Sequence, residues 1–494
     1  MQVTIDPPMH TWRPRVPDAA LIARRRAMGF TDPEKPIIAT GHQAGFWHPG
    51  ILAKCIAAVA FARQVGAQPL YVMVDHDAND ALELMLPTSS GDRLTADTIH
   101  LGHMEPDVAV VAQYHIDWRH AGQLLHDAAT KLAAPQRANL ESLAKQLQNR
   151  FVNGQTLADD IADHMRWCWQ ASAGELPIRL ATDMVDDDLV HRMLHDARRC
   201  ADIYNEAVTH HRDASVPTLQ VERDRVELPL WYVGNPWGAV RDPFTYEFID
   251  WPVGPDGKQH YIPRPRQRVF ADLADSKPLL VMESGDPVPW IDRRHRLRDH
   301  IGHFIGLAPR ALTLTAMLRS TCCDLFIHGK GGGVYDRAME MWWHNWTGEP
   351  LAPMAVVTAD VRLDFPGVPV AEPRDVERAV WYAHHLPHNL DRHLPREVVD
   401  PSLAERKREL LAHMNDDRNR KRRAAAFREI HEINRQLSEQ QAESLALAKQ
   451  QVERAKAGAA NLTVAMRRDW SFALYPKEKM DALKAAIARL AVGP

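Results

Sequence analysis

The sequence has no apolar run of about eighteen residues, so no membrane-spanning helix is expected. Its five cysteines, Cys55, Cys168, Cys200, Cys322 and Cys323, form no CxxC pair. Their odd number argues against a disulfide framework and for a reducing compartment. Neither GxGxxG nor GxxxxGK[ST] occurs, which excludes a standard dinucleotide loop and a P-loop. Charge of either sign is not in excess: the net is −4, too little for a global pull toward nucleic acid. The first residues, MQVTIDPPMHTWRPRVP, carry no apolar core of a signal peptide. What remains is an ordinary soluble composition, 45% hydrophobic and 25% charged. A cytoplasmic protein is the expectation. With 494 residues the chain exceeds one ordinary domain. Two units are expected, an α/β core over 1–395 and a helical unit over 396–494.

The organising stretch runs from Ile37 to Asp80. A short apolar run, Ile37 to Thr40, lies between Pro36 and Gly41. Ile51 to Val65 then carries apolar residues at helical spacing, and Leu70 to Val74 is a second apolar run. Two buried strands around one helix read as a βαβ unit. In such a unit the polar residues beyond the strands' carboxyl ends border one crevice, where open α/β sheets bind ligands. A short helix is expected over Asp18 to Met28, and short strands at Thr98 to Leu101 and Val108 to Val111. Apolar spacing through Leu140, Leu143, Leu147, Leu157, Ile161 and Met165 predicts a helical insertion over about 120–215. Strands are expected again at Leu228 to Val233, Leu279 to Met282, Leu325 to His328 and Met354 to Thr358. Between the first two lies a turn-rich loop, WPVGPDGKQHYIPRPRQ. Ala311 to Ser320 reads as a helix, or as a strand plus a short helix. Gly329 to Gly333 reads as a loop before a helix over Val334 to Trp346.

Residues 402–457 contain neither Gly nor Pro. That permits one helix of 56 residues, about 84 Å long at 1.5 Å per residue. Leu403 and Leu410, Ile430 and Leu437, and Leu445 and Val452 stand seven apart, an imperfect heptad pattern. Such a helix packs on a partner, either from its own chain or from a second subunit, and a homodimer is expected. An aromatic-rich segment and one more amphipathic helix follow.

Gly41, His42 and Gln43 sit between a strand and a helix, where backbone N–H groups can face an anion. His48 and Lys54 follow, able to add a hydrogen bond and a charge; the alternative is a tight turn with surface histidines. Asp75, His76 and Asp77 close the second strand. Successive strand residues point to opposite faces, so a turn is needed if all three are to face one ligand. Asp77, Asn79 and Asp80 can hold Mg²⁺ or orient an amine or hydroxyl. Equally, Asp77 or Asn79 can cap a helix. His328, Gly329, Lys330, Gly331, Gly332 and Gly333 form a second phosphate cradle, with Tyr335 and Asp336 following, or a hinge. Arg310, Thr313, Thr315 and Arg319 can contact a carboxylate or serve surface and capping roles. Cys322 and Cys323 read as core residues. His191, His195, His210 and His211 lack a metal-ligand pattern. RNRKRR at 418–423 reads as a solvated helix face, since no aromatic residues interleave with it.

The order and spacing of TGHQAGFWHPGILAK, the strand ending in DHD, PRALTLTAMLRS and FIHGKGGGVYDRA resemble the bacillithiol-biosynthesis cysteine-adding enzyme family. The similarity covers roughly residues 37 to 490, with few motifs between 115 and 305. It implies a Rossmann-like parallel sheet with helical insertions and a C-terminal coiled-coil domain used for dimerisation. It also implies nucleotide binding, ATP or ADP, and a reaction joining cysteine to an amino-sugar malate. His42 and Gln43 would then sit in the crevice, Asp75, His76 and Asp77 would flank it, and Gly329 to Tyr335 would close the far side. Two positions depart from the family pattern: His42-Gln43 stands where the family has Gln-Gln or a close variant, and Lys330 is added to the glycine loop.

The expected activity is therefore an amide-forming ligase, with His42, Gln43, Asp75, His76 and Asp77 as catalytic candidates. Two other readings stay open. One is a nucleotidyltransferase-like enzyme; the other is a non-catalytic coiled-coil assembly protein with a ligand-binding core.

Overall fold

The computed structural model describes residues 1–132, 134–149, 156–170, 174–223, 225–233, 241–247, 297–298, 304–416, 418–467 and 469–492. The strand expected at Leu279 to Met282, and the loop before it, lie outside the described residues. The strands are β1 (Gln2–Asp6), β2 (Ile37–Gln43), β3 (Gln68–Val74), β4 (Glu83–Ser90), β5 (Arg93–His100), β6 (Ile178–Leu180), β7 (Arg225–Val233), β8 (Arg241–Glu247), β9 (Leu297–Arg298), β10 (Phe304–Pro309), β11 (Leu325–His328) and β12 (Met354–Asp360). The central sheet has the order β1-β12-β11-β2-β3-β6. Its pairs are parallel except at the edge, where β1 runs antiparallel to β12. A smaller antiparallel sheet has the order β8-β7-β10-β9, and β4 and β5 form a hairpin. The protein is thus a mixed α/β fold with a mostly parallel central sheet.

The apolar runs are continuous because both sheet faces are covered. Ile38, Tyr71, Met73 and Ile327 pack on the face that carries α2 (after α1, Ala19–Ala27), which spans Pro49–Val65. Ile37, Ala39, Leu70, Val72 and Phe326 pack on the other face, with Leu318, Cys322 and Cys323. Local sequence sets the bounds of α2. His48 Nδ1 accepts from Gly50 N–H at 2.7 Å as N-cap, Pro49 opens the helix, and Gly66 ends it at φ 68°.

Helices α3 (Trp118–Ala129), α4 (Ala134–Asn149), α5 (Leu157–Gln170), α6 (Asp187–His195) and α7 (Ala197–His210) fill the expected insertion. It is not wholly helical, because β6 lies inside it and pairs with β3. The strand expected at Val108 to Val111 is instead a short 3-10 turn over Val110–Ala112. No helix follows Asn79: residues from Glu83 form β4, so Asp77 and Asn79 cap nothing. Helix α8 (Ala311–Met317) runs into a π-helical turn, Leu318–Cys322, and α9 (Gly332–Thr347) begins two residues earlier than its sequence suggests.

The long helix expected over 402–457 is divided. Beyond α10 (Pro373–His385) and α11 (Leu390–His393) come α12 (Pro401–Asp416), α13 (Arg420–Gln440) and α14 (Ala442–Ala465). Asn419 ends the continuity: its side chain accepts from the N–H groups of Lys421 and Arg422 and caps α13. Helix α13 folds back on α12, with Arg406 bonded to Glu429 at 2.8 Å. Leu410, Ile430, Ile433 and Leu437 then share one core with Leu386 and Leu390. Much of the heptad pattern is therefore used within the chain. Helix α15 (Lys477–Val492) leaves this unit altogether. Trp470, Leu474, Leu483 and Ile487 join the main core beside α2. Among the described residues no helix is long and apolar enough to cross a membrane.

Candidate functional site

From β2 the chain crosses through α2 to β3, on one side. From β11, the other neighbour of β2, it crosses through α9 to β12, on the opposite side. The carboxyl ends of β2 and β11 therefore splay their following loops apart, which opens a crevice at a switch in winding direction. A cavity of about 620 Å³ occupies that crevice. Gly41, His42, Gln43, His48 and Lys54 line it from β2 and α2; His76 and Asp77 line it from beyond β3. His328 to Gly332 and Tyr335 line it from β11 and α9. Groups near positions 42, 76 and 330 are thus brought to one pocket.

The His42 imidazole is held neutral. Burial, with the nearby Lys54 charge, pulls its pKa down to about 3. Its Nδ1 accepts from the Gln43 N–H at 2.8 Å, so Nε2 carries the proton. Trp47 packs against the ring at 4.7 Å between centroids and donates to the Gln43 carbonyl at 2.7 Å. Lys54 is 3% exposed and donates to the Gly41 carbonyl at 2.6 Å. Burial lowers its ammonium to about 8. Its stem lies beside Gly329, so one lysine reaches from β2 to the glycine loop after β11.

His328 is buried at the end of β11, with Nε2 3.0 Å from the Asp336 carboxylate. Asp336 accepts from Arg319 Nη1 at 2.8 Å. Arg319 also donates to the Ala352 carbonyl at 2.8 Å and to Glu340 at 2.6 Å. It is buried, not a surface or capping residue. Tyr335 bonds Thr315, and burial, followed by the Asp336 charge, pushes its phenol up to about 12.

Several expected site residues do not reach the cavity. Asp75 turns the other way, as strand alternation requires, and accepts from Thr182 N–H at 3.0 Å and from its hydroxyl at 2.5 Å. It stays near His76, whose Nδ1 is 3.8 Å away, and acts as a support. Asn79 donates to the Ala44 carbonyl at 2.9 Å. Asp80 binds Leu82 N–H and the His100 ring. Of the three groups expected to hold Mg²⁺, Asp77 lines the cavity, while Asp80 is engaged by Leu82 and His100. Among the described residues no three His, Cys, Asp or Glu side chains gather as metal ligands. Arg310 is bonded to Glu227 and lies over the Trp231 ring, away from the pocket. Thr313 is buried in α8, and Gly333 faces Val356. The thiols of Cys55, Cys200, Cys322 and Cys323 are buried, and burial raises the pKa of each, as expected of core residues.

The cavity also takes residues that sequence alone did not indicate. Thr358 comes from β12 and Asp469 from the segment after α14. Phe472 N–H bonds the Trp47 carbonyl at 2.7 Å, which brings that segment back to the β2 loop. Arg467 holds the Asp469 carboxyl below its usual value, and the His48 charge adds to this. Only the aromatic content of DWSFALY hinted at docking.

Fold and site together define a mostly parallel α/β protein with a polar strand-end cavity at a winding switch. No family model matches the chain, and no curated protein matches it.

Proposed function

We propose that this chain is a Rossmann-like amide-forming ligase. It would join cysteine or a related amino acid to the amine of an amino sugar, with ATP as co-substrate. The product would belong to low-molecular-weight thiol biosynthesis in the cytoplasm. The observation that carries this reading is the gathering of His42, Asp77, Lys54 and Lys330 in one strand-end cavity. The motifs that resemble cysteine-adding enzymes supply the reaction class.

The residues divide by charge. Lys330, beside the N-terminus of α9, would hold a phosphate or carboxylate. His42, neutral and protonated on Nε2, would donate to the oxygen on which charge develops as the amine attacks. Half-buried and held at Nδ1, it need not reorganise during the step. Asp77, beyond the end of β3, would orient the attacking amine. A homodimer through the C-terminal helices belongs to the same reading, with Phe427 and Leu447, each 54% exposed, as its apolar contacts.

The test is incubation with ATP, cysteine and glucosaminyl malate, followed by a panel of other amines. Amide product with ADP release is expected. Pyrophosphate release without amide would favour nucleotidyl transfer, and no turnover across the panel would end the enzyme reading. Mass spectrometry of any ligand that co-purifies gives an independent check. Light scattering tests the dimer; a monomer would remove it.

A further inference from the structure

We propose that His328 is the proton acceptor of the cavity, and that Asp336, clamped by Arg319, is the positioning residue that aims it. This assignment rests on the amide-forming reading above. His328, Asp336 and Arg319 are respectively 5%, 0% and 3% exposed, so all three are withdrawn from bulk water. His328 Nε2 lies 3.0 Å from Asp336 Oδ2. The contact lies outside hydrogen-bond geometry, but the carboxylate's charge at that distance favours the neutral ring's proton on the nearer nitrogen, Nε2, and leaves the lone pair on Nδ1.

A glycine at position 332 leaves the Nδ1 edge of the ring free of a neighbouring side chain. A Cβ at Gly332 would run into the His328 ring at Nδ1, and Gly332 and His328 both border the cavity. Here glycine serves close approach, not an unusual backbone angle.

The groups facing His328 do not compete for the role. Tyr335, with its ring 5.7 Å away, has its phenol pushed up to about 12 and stays neutral. Phe326 packs on the ring at 4.6 Å. Lys54 and Lys330 on the same wall are cations, and Asp77 stands beyond β3. Arg319 itself sits in the π-helical turn Leu318–Cys322, whose altered hydrogen bonding displaces one side chain relative to an α-helix; such turns recur at functional sites.

In the step, the amine nitrogen forms its bond to a carboxyl carbon activated as the acyl phosphate. The carbon–oxygen bond to phosphate breaks, and phosphate leaves with the electron pair. The amine proton passes to His328 Nδ1, and the imidazolium so formed faces Asp336.

The experiment is ¹⁵N NMR of the full chain labelled at histidine, with the His328 signals assigned by their loss in His328→Gln. At neutral pH the native protein is expected to show a protonated Nε2 and a bare Nδ1. Asp336→Asn is expected to lose that preference. A proton on Nδ1 in the native protein would overturn the proposal, whether or not the Asn variant folds. In a turnover assay, His328→Gln and Asp336→Asn are both expected to lower kcat by about 100-fold or more, with KM little changed. Unchanged kcat in His328→Gln would also overturn it. Absence of turnover in the native protein with every amine is a different result, and it counts against the ligase reading itself.

Discussion

Replacing Lys54 by methionine separates what this side chain does for folding from what it does in the cavity. Its ammonium is buried and donates to the Gly41 carbonyl. Burial brings its pKa from the ordinary 10.5 to about 8. Each pKa unit is about 1.4 kcal/mol, so carrying the charge in the fold costs about 3 kcal/mol at neutral pH. The sign follows from proton counts. Between pH 8 and 10.5 the unfolded chain holds the Lys54 proton and the folded chain does not, so native stability rises across that window. Below pH 8 both states hold it, and the cost is constant. Lys54→Met removes the charge at every pH. It also leaves the Gly41 carbonyl without this donor, a loss of about 1–3 kcal/mol that does not vary with pH. The stability of the variant minus that of the native protein should therefore be flat below pH 8. It should then fall by about 3 kcal/mol by pH 10.5. Urea unfolding of both proteins across this range measures the difference, and titration of other groups cancels. A pH-independent difference would refute the argument that Lys54 is a strained buried cation. If Lys54 anchors an anion, the variant also loses ligand affinity while gaining relative stability at neutral pH, the usual exchange at a binding site.

Two further substitutions test the frame around the cavity. Asp324→Asn leaves the fully buried Arg25 without its carboxylate, 2.5 Å away, and should cost about 3–5 kcal/mol, lowering the urea midpoint at constant slope. Burial outweighs Arg25 and holds the Asp324 carboxyl above its usual value, so the loss comes from the stranded guanidinium, and an unchanged midpoint would contradict this. Adjacent glycines should respond with opposite sign. Gly332→Ala drives a Cβ into His328 and should lose about 1–3 kcal/mol, whereas a Cβ at Gly331 meets nothing within 4 Å and should be neutral or gain up to about 1 kcal/mol. Thermal melts of the two variants decide it; equal shifts would remove the steric role of Gly332.

The βαβ unit was legible because its signals are local. The apolar run after Pro36 marked β2, although the strand continues past its expected end, through Gly41 and His42 to Gln43, and His48, Pro49 and Gly66 punctuate α2. The strand at Leu325 and the glycine run after it followed from the same kind of evidence. The C-terminal helix was misjudged for the converse reason. A stretch without Gly or Pro permits a long helix but does not require one. Asn419 supplied a cap, and burying Leu410, Ile430 and Leu437 against one another favoured folding back. Spacing alone does not say where side chains find partners: of the Mg²⁺ candidates, Asp77 lines the cavity, while Asn79 donates to Ala44 and Asp80 meets His100.

By itself the sequence determined the mostly parallel α/β class and which loops leave the strands at their carboxyl ends. Periodicity and capping act over a few residues and are written there. Tertiary structure alone decided which of those polar groups share a cavity. It set Asp75 against Thr182 and buried Arg319 beside Asp336, and it returned Asp469 to a loop more than four hundred residues earlier. Such pairings depend on how sheet faces and helices are stacked, which no local pattern encodes.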